Sequence, residues 1–373
     1  MRPQVLEPTD AAAVAAALQA ANNDSLSVVV RGSGSKFTPP PSDILISMAK
    51  LIGGIDHVAG DLVATAPAGA SLDAVNDVLR RERQWLPLDA PLGHRATIGG
   101  IIATNDSGPR RHRFGAPRDL IIGVEVALVD GRLAKAGGRV VKNVAGYDLS
   151  KLMCGSLGTL AVVTRATFKL SPVAPFSQTV VATLGDLRKA AELALAVAAA
   201  PISPTALELQ SPPHRLLIRF ETTEGAATAQ TRLASDIGAA HGATINVIDG
   251  QAEIDAWRAH ENRIFSGPGT VVKIAVLPTD VADMLSLVQR LTTAAGIETD
   301  ITGRAALGII VIRMHGEASH LIDDLRREAV ARRGSVVAPG NFGPLGDAEP
   351  VMRAVKARFD PHHILNAGIS PWD

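Results

Sequence analysis

Between residues 178 and 338 the apolar positions change rhythm in a repeating order. QTVVATL (178–184) alternates as a strand does, and LRKAAELALAVAAA (187–200) places apolar residues three to four apart, as a helix does. TALELQ and RLLIRFE follow as strands, TAQTRLASDIGAA as a helix and ATINVI as a strand. From residue 271 the order starts again: strand VVKIAVL, helix VADMLSLVQRLTTAA with Asp280 at its start, strands IETDI and GIIVIRM, helix HLIDDLRREAVAR, strand SVVA. Each run has the split β-α-β plan of a ferredoxin-like unit. Side by side, the two runs predict one antiparallel sheet with helices on one face.

The first 172 residues have a different texture. AAAVAAALQAA predicts a helix with Thr9 or Asp10 as N-cap. The strand-like LSVVV then runs into Arg31-Gly32-Ser33-Gly34-Ser35-Lys36. A second glycine-rich stretch reads TIGGIIATNDSG (97–108), approached through turns at Pro87, Asp89 and Pro91. A third, GGRVVKNVAGYDLSKLMCGSLGTLAVVT (137–164), holds a short helix through Lys151–Met153 capped by Ser150 or Asp148, then a strand from Thr159. Pro172 and Pro175 mark one boundary, and PGNFGPLG (339–346) marks a return. The chain therefore divides at 1–172, 173–338 and 339–373.

Composition narrows the chemistry. The 373 residues allow several domains, and at 46% apolar but only 3% aromatic the core must be built from Ala, Val, Leu and Ile. Lys plus Arg and Asp plus Glu balance at 37 each, which leaves no electrostatic footprint for nucleic acid. The single cysteine, Cys154, excludes an internal disulfide and a cysteine-held iron–sulfur cluster, and reads as a buried small hydrophobe. No apolar run reaches the roughly 18 residues of a membrane span, and no basic n-region opens a signal peptide. A cytoplasmic protein is expected.

The first glycine loop fits neither familiar phosphate motif. A triphosphate loop needs a different spacing before its Gly-Lys-Ser/Thr. A dinucleotide turn needs a third glycine where Phe37 stands, and a helix, whereas Thr38 is followed by Pro39, Pro40 and Pro41. What remains is an anion-binding nest of backbone N–H groups, or an ordinary Gly/Ser turn. The second stretch is either a bend in a sheet or a place where backbone approaches a ligand without Cβ atoms in the way. Three such stretches before residue 165 would suit one long ligand with phosphates in its middle.

Taken in order, RGSGSK, ATIGG, ATNDSG, RFGAPRDLIIGVEVALVDG, KNVAGYDLSKL and GSLGTLAVVT resemble the FAD-binding domain of the vanillyl-alcohol oxidase/p-cresol methylhydroxylase (PCMH) type. Within it the chain is most similar to the FAD-binding accessory subunits of bacterial glycolate oxidase, over roughly residues 5–172 plus the tail. The resemblance implies an α+β fold: a two-lobed FAD domain and a cap into which the paired ferredoxin-like runs would fit. It implies that Arg31, Gly32, Ser33, Gly34, Ser35 and Lys36 wrap the pyrophosphate, with Asp89, Thr97, Gly99 and Gly100 on its other side. Thr104, Asn105 and Gly108 would approach the flavin and ribityl chain. Leu157, Gly158, Thr159 and Val163 would meet the adenosine end, Tyr147 would brace that side, and Asn366 would return to the ring. Relatives with covalent FAD carry a histidine where Ser35 stands, so non-covalent FAD is expected.

Some relatives hold a metal in the cap, but His214, His241, His260, His315 and His320 show no grouping for one, and His362-His363 suits packing or capping; no metal is expected. Between the two runs lies QAEIDAWRAHENRIFSGPG, a charged helical connector. Arg258 there, or Arg313 on a strand, is the candidate for a substrate carboxylate, set against a merely solvated helix face. His94, His112 and His260 are candidate bases. The resemblance implies oxidation of a 2-hydroxy acid, glycolate to glyoxylate, with electrons passed to a larger catalytic FAD subunit and an iron–sulfur subunit, and membrane association only through those partners. A standalone 2-hydroxy-acid dehydrogenase and a non-catalytic FAD-holding scaffold remain the alternatives.

Overall fold

The computed structural model describes residues 3–35, 40–139, 147–265, 267–338, 343 and 346–369. The chain forms two compact units: Met1–Gly108 with Phe114–Val173 and Pro344–Asp373, and Pro109–Arg113 with Ala174–Gly343. The grouping of Pro109–Arg113 with the second unit is a departure from the linear division at residue 172. No helix among the described residues is long and apolar enough to cross a membrane.

The first unit begins with a three-stranded parallel sheet in the order Gln4–Leu6, Ile44–Ser47, Val28–Arg31. Helix Ala11–Asn23 is capped by Asp10, whose Oδ1 accepts from Ala13 N at 2.8 Å. It buries Val14, Leu18 and Ala21, spaced for one helical face. A five-stranded antiparallel sheet follows in the order Asp56–Val58, Val63–Pro67, Val162–Lys169, Ile121–Ala127, Leu133–Gly137. Residues from both sheets join one aliphatic core with Ile98, Ile101, Ile102 and Phe168. Each such fully buried side chain contributes about 1.5–3 kcal/mol.

The second unit is one eight-stranded antiparallel sheet. Its order is Thr244–Asp249, Phe176–Thr183, Arg215–Thr222, Ala206–Ser211, Thr299–Arg304, Ile309–Met314, Thr270–Ala275, Ser335–Val337. Helices Leu187–Ala199, Glu224–Ala240, Val281–Ala294 and Ser319–Ala331 pack on the face that carries Leu207, Leu209, Leu216 and Ile218.

The expectation of helices on one face needs correction. Helix Gly250–Phe265 covers part of the opposite face, where Trp257 packs against Ala206 and Leu217. Period-two alternation turns those two residues away from Leu207 and Leu216, so they form a separate, smaller cluster. A second small cluster on that face joins Ile264 of the same helix to Ile309, Val311 and Val271.

Candidate functional site

In the first unit, strand Val28–Arg31 ends in the loop Gly32–Ser35. Gly34 has φ +69, a conformation side chains rarely take. Gly32 lies so close to the second glycine stretch that a Cβ on it would fall 2.2 Å from Thr97 Oγ1. Thr97 then caps a short helix, Ile98–Thr104, by accepting from Gly100 N at 3.3 Å. The second stretch is thus a helix start rather than a bend in a sheet.

The third stretch docks on that helix. Gly155 N donates to Ile102 O at 2.9 Å and Leu157 N to Ala103 O at 2.8 Å. Leu157 sits at φ +55, an arrangement that costs a non-glycine residue about 1–3 kcal/mol. Asn366 helps hold it there: its Nδ2 donates to Leu157 O at 2.9 Å and Gly158 O at 3.1 Å, while its Oδ1 accepts from Val30 N at 2.8 Å.

The three stretches surround one groove of about 900 Å³, part of it open to solvent. Arg31, Gly32, Ser33, Gly34 and Ser35 line it, as do Thr97, Gly99, Gly100 and Thr104. Leu157, Gly158, Val163 and Asn366 complete the sequence-predicted set that meets there. Among the described residues the lining has one charged side chain, Arg31, and no carboxylate, histidine, cysteine or tyrosine.

Other predicted residues lie elsewhere. Lys36 is outside the described residues. Asp89 and Gly108 brace each other: Asp89 Oδ1 accepts from Gly108 N at 3.0 Å, and a Cβ on Gly108 would sit 2.1 Å from the Asp89 carbonyl. Asn105 closes the short helix at φ +48, its Oδ1 accepting from Arg118 N at 3.4 Å. Thr159 is wholly buried, its hydroxyl donating to Ser156 O at 2.7 Å. Tyr147, expected to brace the adenosine side, is 95% exposed. His94 is exposed in a turn.

Sequence reasoning missed the apolar lining, Met48, Ala68, Ala161 and Val162, because aliphatic residues carry no chemical signal. It also missed the buried pair Lys356 and Asp360, in contact at 2.7 Å. Their four-residue spacing at the end of a helix was the available clue.

The second unit buries a row of charges on the sheet face opposite the main core. Glu208, 1% exposed, lies 3.2 Å from His260 Nε2 and 3.1 Å from Arg304 Nε. His260 Nδ1 is 3.2 Å from Gln210 Oε1. Burial pushes His112 below its ordinary value, and Glu208 opposes that electrostatically. Of the candidate bases, His260 is thus in direct contact with a buried carboxylate. Nearby, Glu253 accepts from Thr179 Oγ1 at 2.6 Å and from Ser177 Oγ at 2.8 Å. Arg219 reaches Glu253 at 3.1 Å and stacks over Trp257 at 5.6 Å. Arg110 grips Glu221 through two bonds of 2.9 and 2.8 Å.

The substrate-carboxylate candidates are poorly disposed for that task. Arg258 is 66% exposed, with Asp255 at 3.6 Å. Arg313 binds Asp300 at 2.5 Å, and Asp300 also takes His315 and Arg263 at 2.9 and 3.2 Å. Among the described residues no group of three or more His, Cys, Asp or Glu is placed to hold a metal.

Residues 3–137 match the FAD binding domain family. The chain is 28% identical to D-lactate dehydrogenase of Archaeoglobus fulgidus over 98% of its length and 90% of that protein. It is 27% identical to glycolate oxidase subunit GlcD of Bacillus subtilis, covering 98% of this chain and 88% of the relative. Over 153 residues it is 37% identical to glycolate oxidase subunit GlcE of Escherichia coli, covering 40% of this chain and 44% of GlcE. Among solved structures, alkyldihydroxyacetonephosphate synthase aligns with a TM-score of 0.75 over 97% of this chain and 75% of that one. At 15% identity that likeness speaks to the fold alone.

Proposed function

The chain carries an FAD-binding domain of the PCMH type, matched over residues 3–137, and from that premise we propose that it is the FAD-binding subunit of a glycolate oxidase-type complex that oxidises a 2-hydroxy acid. The observation that carries the reading is the single groove lined by three glycine-rich stretches. Such a lining fits a long ligand with phosphates at its middle, because Gly32, Gly34, Gly99, Gly100 and Gly158 let backbone come close. Arg31 adds one positive charge, and the lack of carboxylates among the described lining residues suits a diphosphate. Ser35 on the loop and a lining without histidine, cysteine or tyrosine among the described residues favour FAD held without a covalent bond.

Bound FAD supplies a two-electron acceptor for a substrate carbon bearing a hydroxyl. The protein supplies position. Arg31 and the loop amides would hold the diphosphate, while Ala68, Ala161, Val162 and Val163 exclude water along the apolar wall. The strand order, 4-1-3-2 within residues 176–249 and the same order reversed within residues 270–337, supports reading the second unit as a cap of two ferredoxin-like repeats.

The subunit role is favoured over a standalone dehydrogenase by the ion pairs of the second unit. Arg110, Arg219, Arg304 and Arg313 each bind an internal carboxylate, so these cations are already engaged. A carboxylate substrate would have to compete with Glu221, Glu253, Glu208 or Asp300. We infer that the chain holds FAD while a catalytic FAD subunit completes substrate turnover and an iron–sulfur subunit takes the electrons.

The test is spectroscopic. The purified chain should carry oxidised flavin, and anaerobic glycolate or D-lactate should leave its visible band in place until a partner subunit is added. Prompt bleaching of the isolated chain would favour the standalone dehydrogenase instead. A chain that stays colourless with added FAD would overturn both readings.

A further inference from the structure

The C-terminal helix Glu349–Phe359 buries one charged side chain completely. Lys356 is 0% exposed, and its ammonium donates to Asp360 Oδ2 at 2.7 Å, Leu365 O at 3.0 Å and Thr159 O at 3.1 Å. Asp360, equally buried, accepts from Ile364 N at 3.1 Å and Leu365 N at 2.8 Å. An apolar pair could fasten the helix to the core as firmly, since burying two charges is costly. What the ionic cluster adds is direction: it fixes particular backbone carbonyls in place.

Both ends of the cluster lead to the groove. Thr159 directly follows Leu157 and Gly158, two lining residues. Leu365 directly precedes Asn366, which binds both the third glycine stretch and Val30. Segment 364–366 also runs beside the strand that feeds the first loop. Val28 N donates to Ile364 O at 2.8 Å, and Asn366 N donates to Val28 O at 2.7 Å.

We propose that Lys356 is a positioning residue for the cofactor, and that docking of segment 356–366 and binding of FAD are one linked equilibrium. This rests on the FAD reading above. When the segment is docked, Lys356 holds the third stretch and Asn366 holds the first and third at their spacing in the groove. When it is released, both stretches lose those anchors. A ligand that binds only the docked state must stabilise it in proportion to its occupancy.

The wild-type chain supplies the first test. With FAD bound, as judged by its absorbance, amide exchange at Leu365 and Asn366 and tryptic cleavage at Arg353 and Arg358 should slow by at least about tenfold. Unchanged exchange and cleavage in a chain that demonstrably holds FAD would overturn the linkage and leave the FAD reading intact. Failure to bind FAD at all would overturn the reading and the linkage together. The second test is the double variant Lys356→Met/Asp360→Asn, which removes both charges so that neither is left buried alone. Its apo melting point should stay within a few degrees of wild type, while FAD affinity falls by about tenfold or more. Wild-type FAD affinity in the double variant would overturn the positioning role, whatever its melting point. Should that variant fail to fold, the wild-type exchange measurement decides alone.

Discussion

Asn366 Oδ1 accepts a hydrogen bond from Val30 N at 2.8 Å, across 336 residues of sequence. The same side chain donates to the carbonyls of Leu157 and Gly158, so one amide joins the first and third walls of the groove. The Val30 end needs an acceptor and the Leu157 and Gly158 carbonyls need donors, and a side-chain amide carries one acceptor oxygen and two N–H donors on adjacent atoms. Asn366 also takes φ +51, a conformation that asparagine tolerates better than most residues.

Asn366→Ala should therefore remove three hydrogen bonds and strain the backbone, lowering the stability of the first unit by about 2–4 kcal/mol. Asn366→Asp should keep the bond from Val30 N but set a carboxylate against two carbonyls. Both variants should weaken FAD binding in a spectral titration, with Asp the worse of the two for affinity. Equal affinity in all three proteins would mean that the tie plays no part in the groove.

Gly34→Val should abolish flavin retention. At φ +69 a β-branched residue is strained by at least about 1–2 kcal/mol, and a Cβ there would meet Arg31 Cδ at 3.2 Å. The second unit contains none of these residues and should keep its circular dichroism. If the variant purifies yellow at full occupancy, the loop is not the cofactor's cradle.

How much of this was legible depends on what kind of signal each residue carries. Strands of the second unit follow period-two alternation and its helices the three-to-four spacing: residues 187–200 read as a helix, and Leu187–Ala199 is one. The glycine stretches were legible as flexible backbone, but not in their shape, because ATIGG gives no hint that Thr97 caps a helix until Gly100 is seen to donate to it. Asp89, Asn105 and Gly108 read as ligand contacts in sequence, and the structure adds that they bond the local backbone, as polar side chains in turns do. Arg258 was singled out for its charge, although only the fold could reveal that it faces solvent. Lys356 and Asp360 were overlooked because a charged pair four apart on a helix is ordinarily a surface pair.

Burial raises Glu221, but the hydrogen bond and charge of Arg110, with Arg219 behind, outweigh it and hold the carboxyl below its ordinary value of 4.5. A carboxyl lowered in the folded state contributes stability above its unfolded value and loses it as pH falls through the folded one. Glu221→Gln should therefore flatten the stability-versus-pH curve below about pH 4.5. Arg110→Met, which removes the two-bond partner and leaves the carboxylate to Arg219 and Thr205, should cost about 1–3 kcal/mol at pH 7. Denaturant melts at pH 3, 4, 5 and 7 would check both, and an unchanged acid limb in Glu221→Gln would remove the pair from the account.

Arg258→Ala should be nearly silent. A 66% exposed arginine with Asp255 at 3.6 Å gains little from the pair, so stability should change by no more than about 0.5 kcal/mol. In the complex proposed above, substrate affinity should also hold steady. A KM raised tenfold or more would restore Arg258 as the carboxylate's partner.

Cys154 is the chain's single thiol, and burial pushes it up to about 12, while its Sγ donates to Ser150 O at 3.4 Å. The thiolate is the reactive form, and at pH 8 a thiol so raised is ionised to only about one part in ten thousand. Against a free thiol near 8.5, the native chain should react with Ellman's reagent at least about a hundredfold more slowly. In guanidinium chloride the same chain should release one equivalent at the rate of an ordinary cysteine. A fast equivalent from the native protein would mean that Cys154 is open to solvent, and with it the packing of helix Leu149–Met153 against the strand Ile121–Ala127.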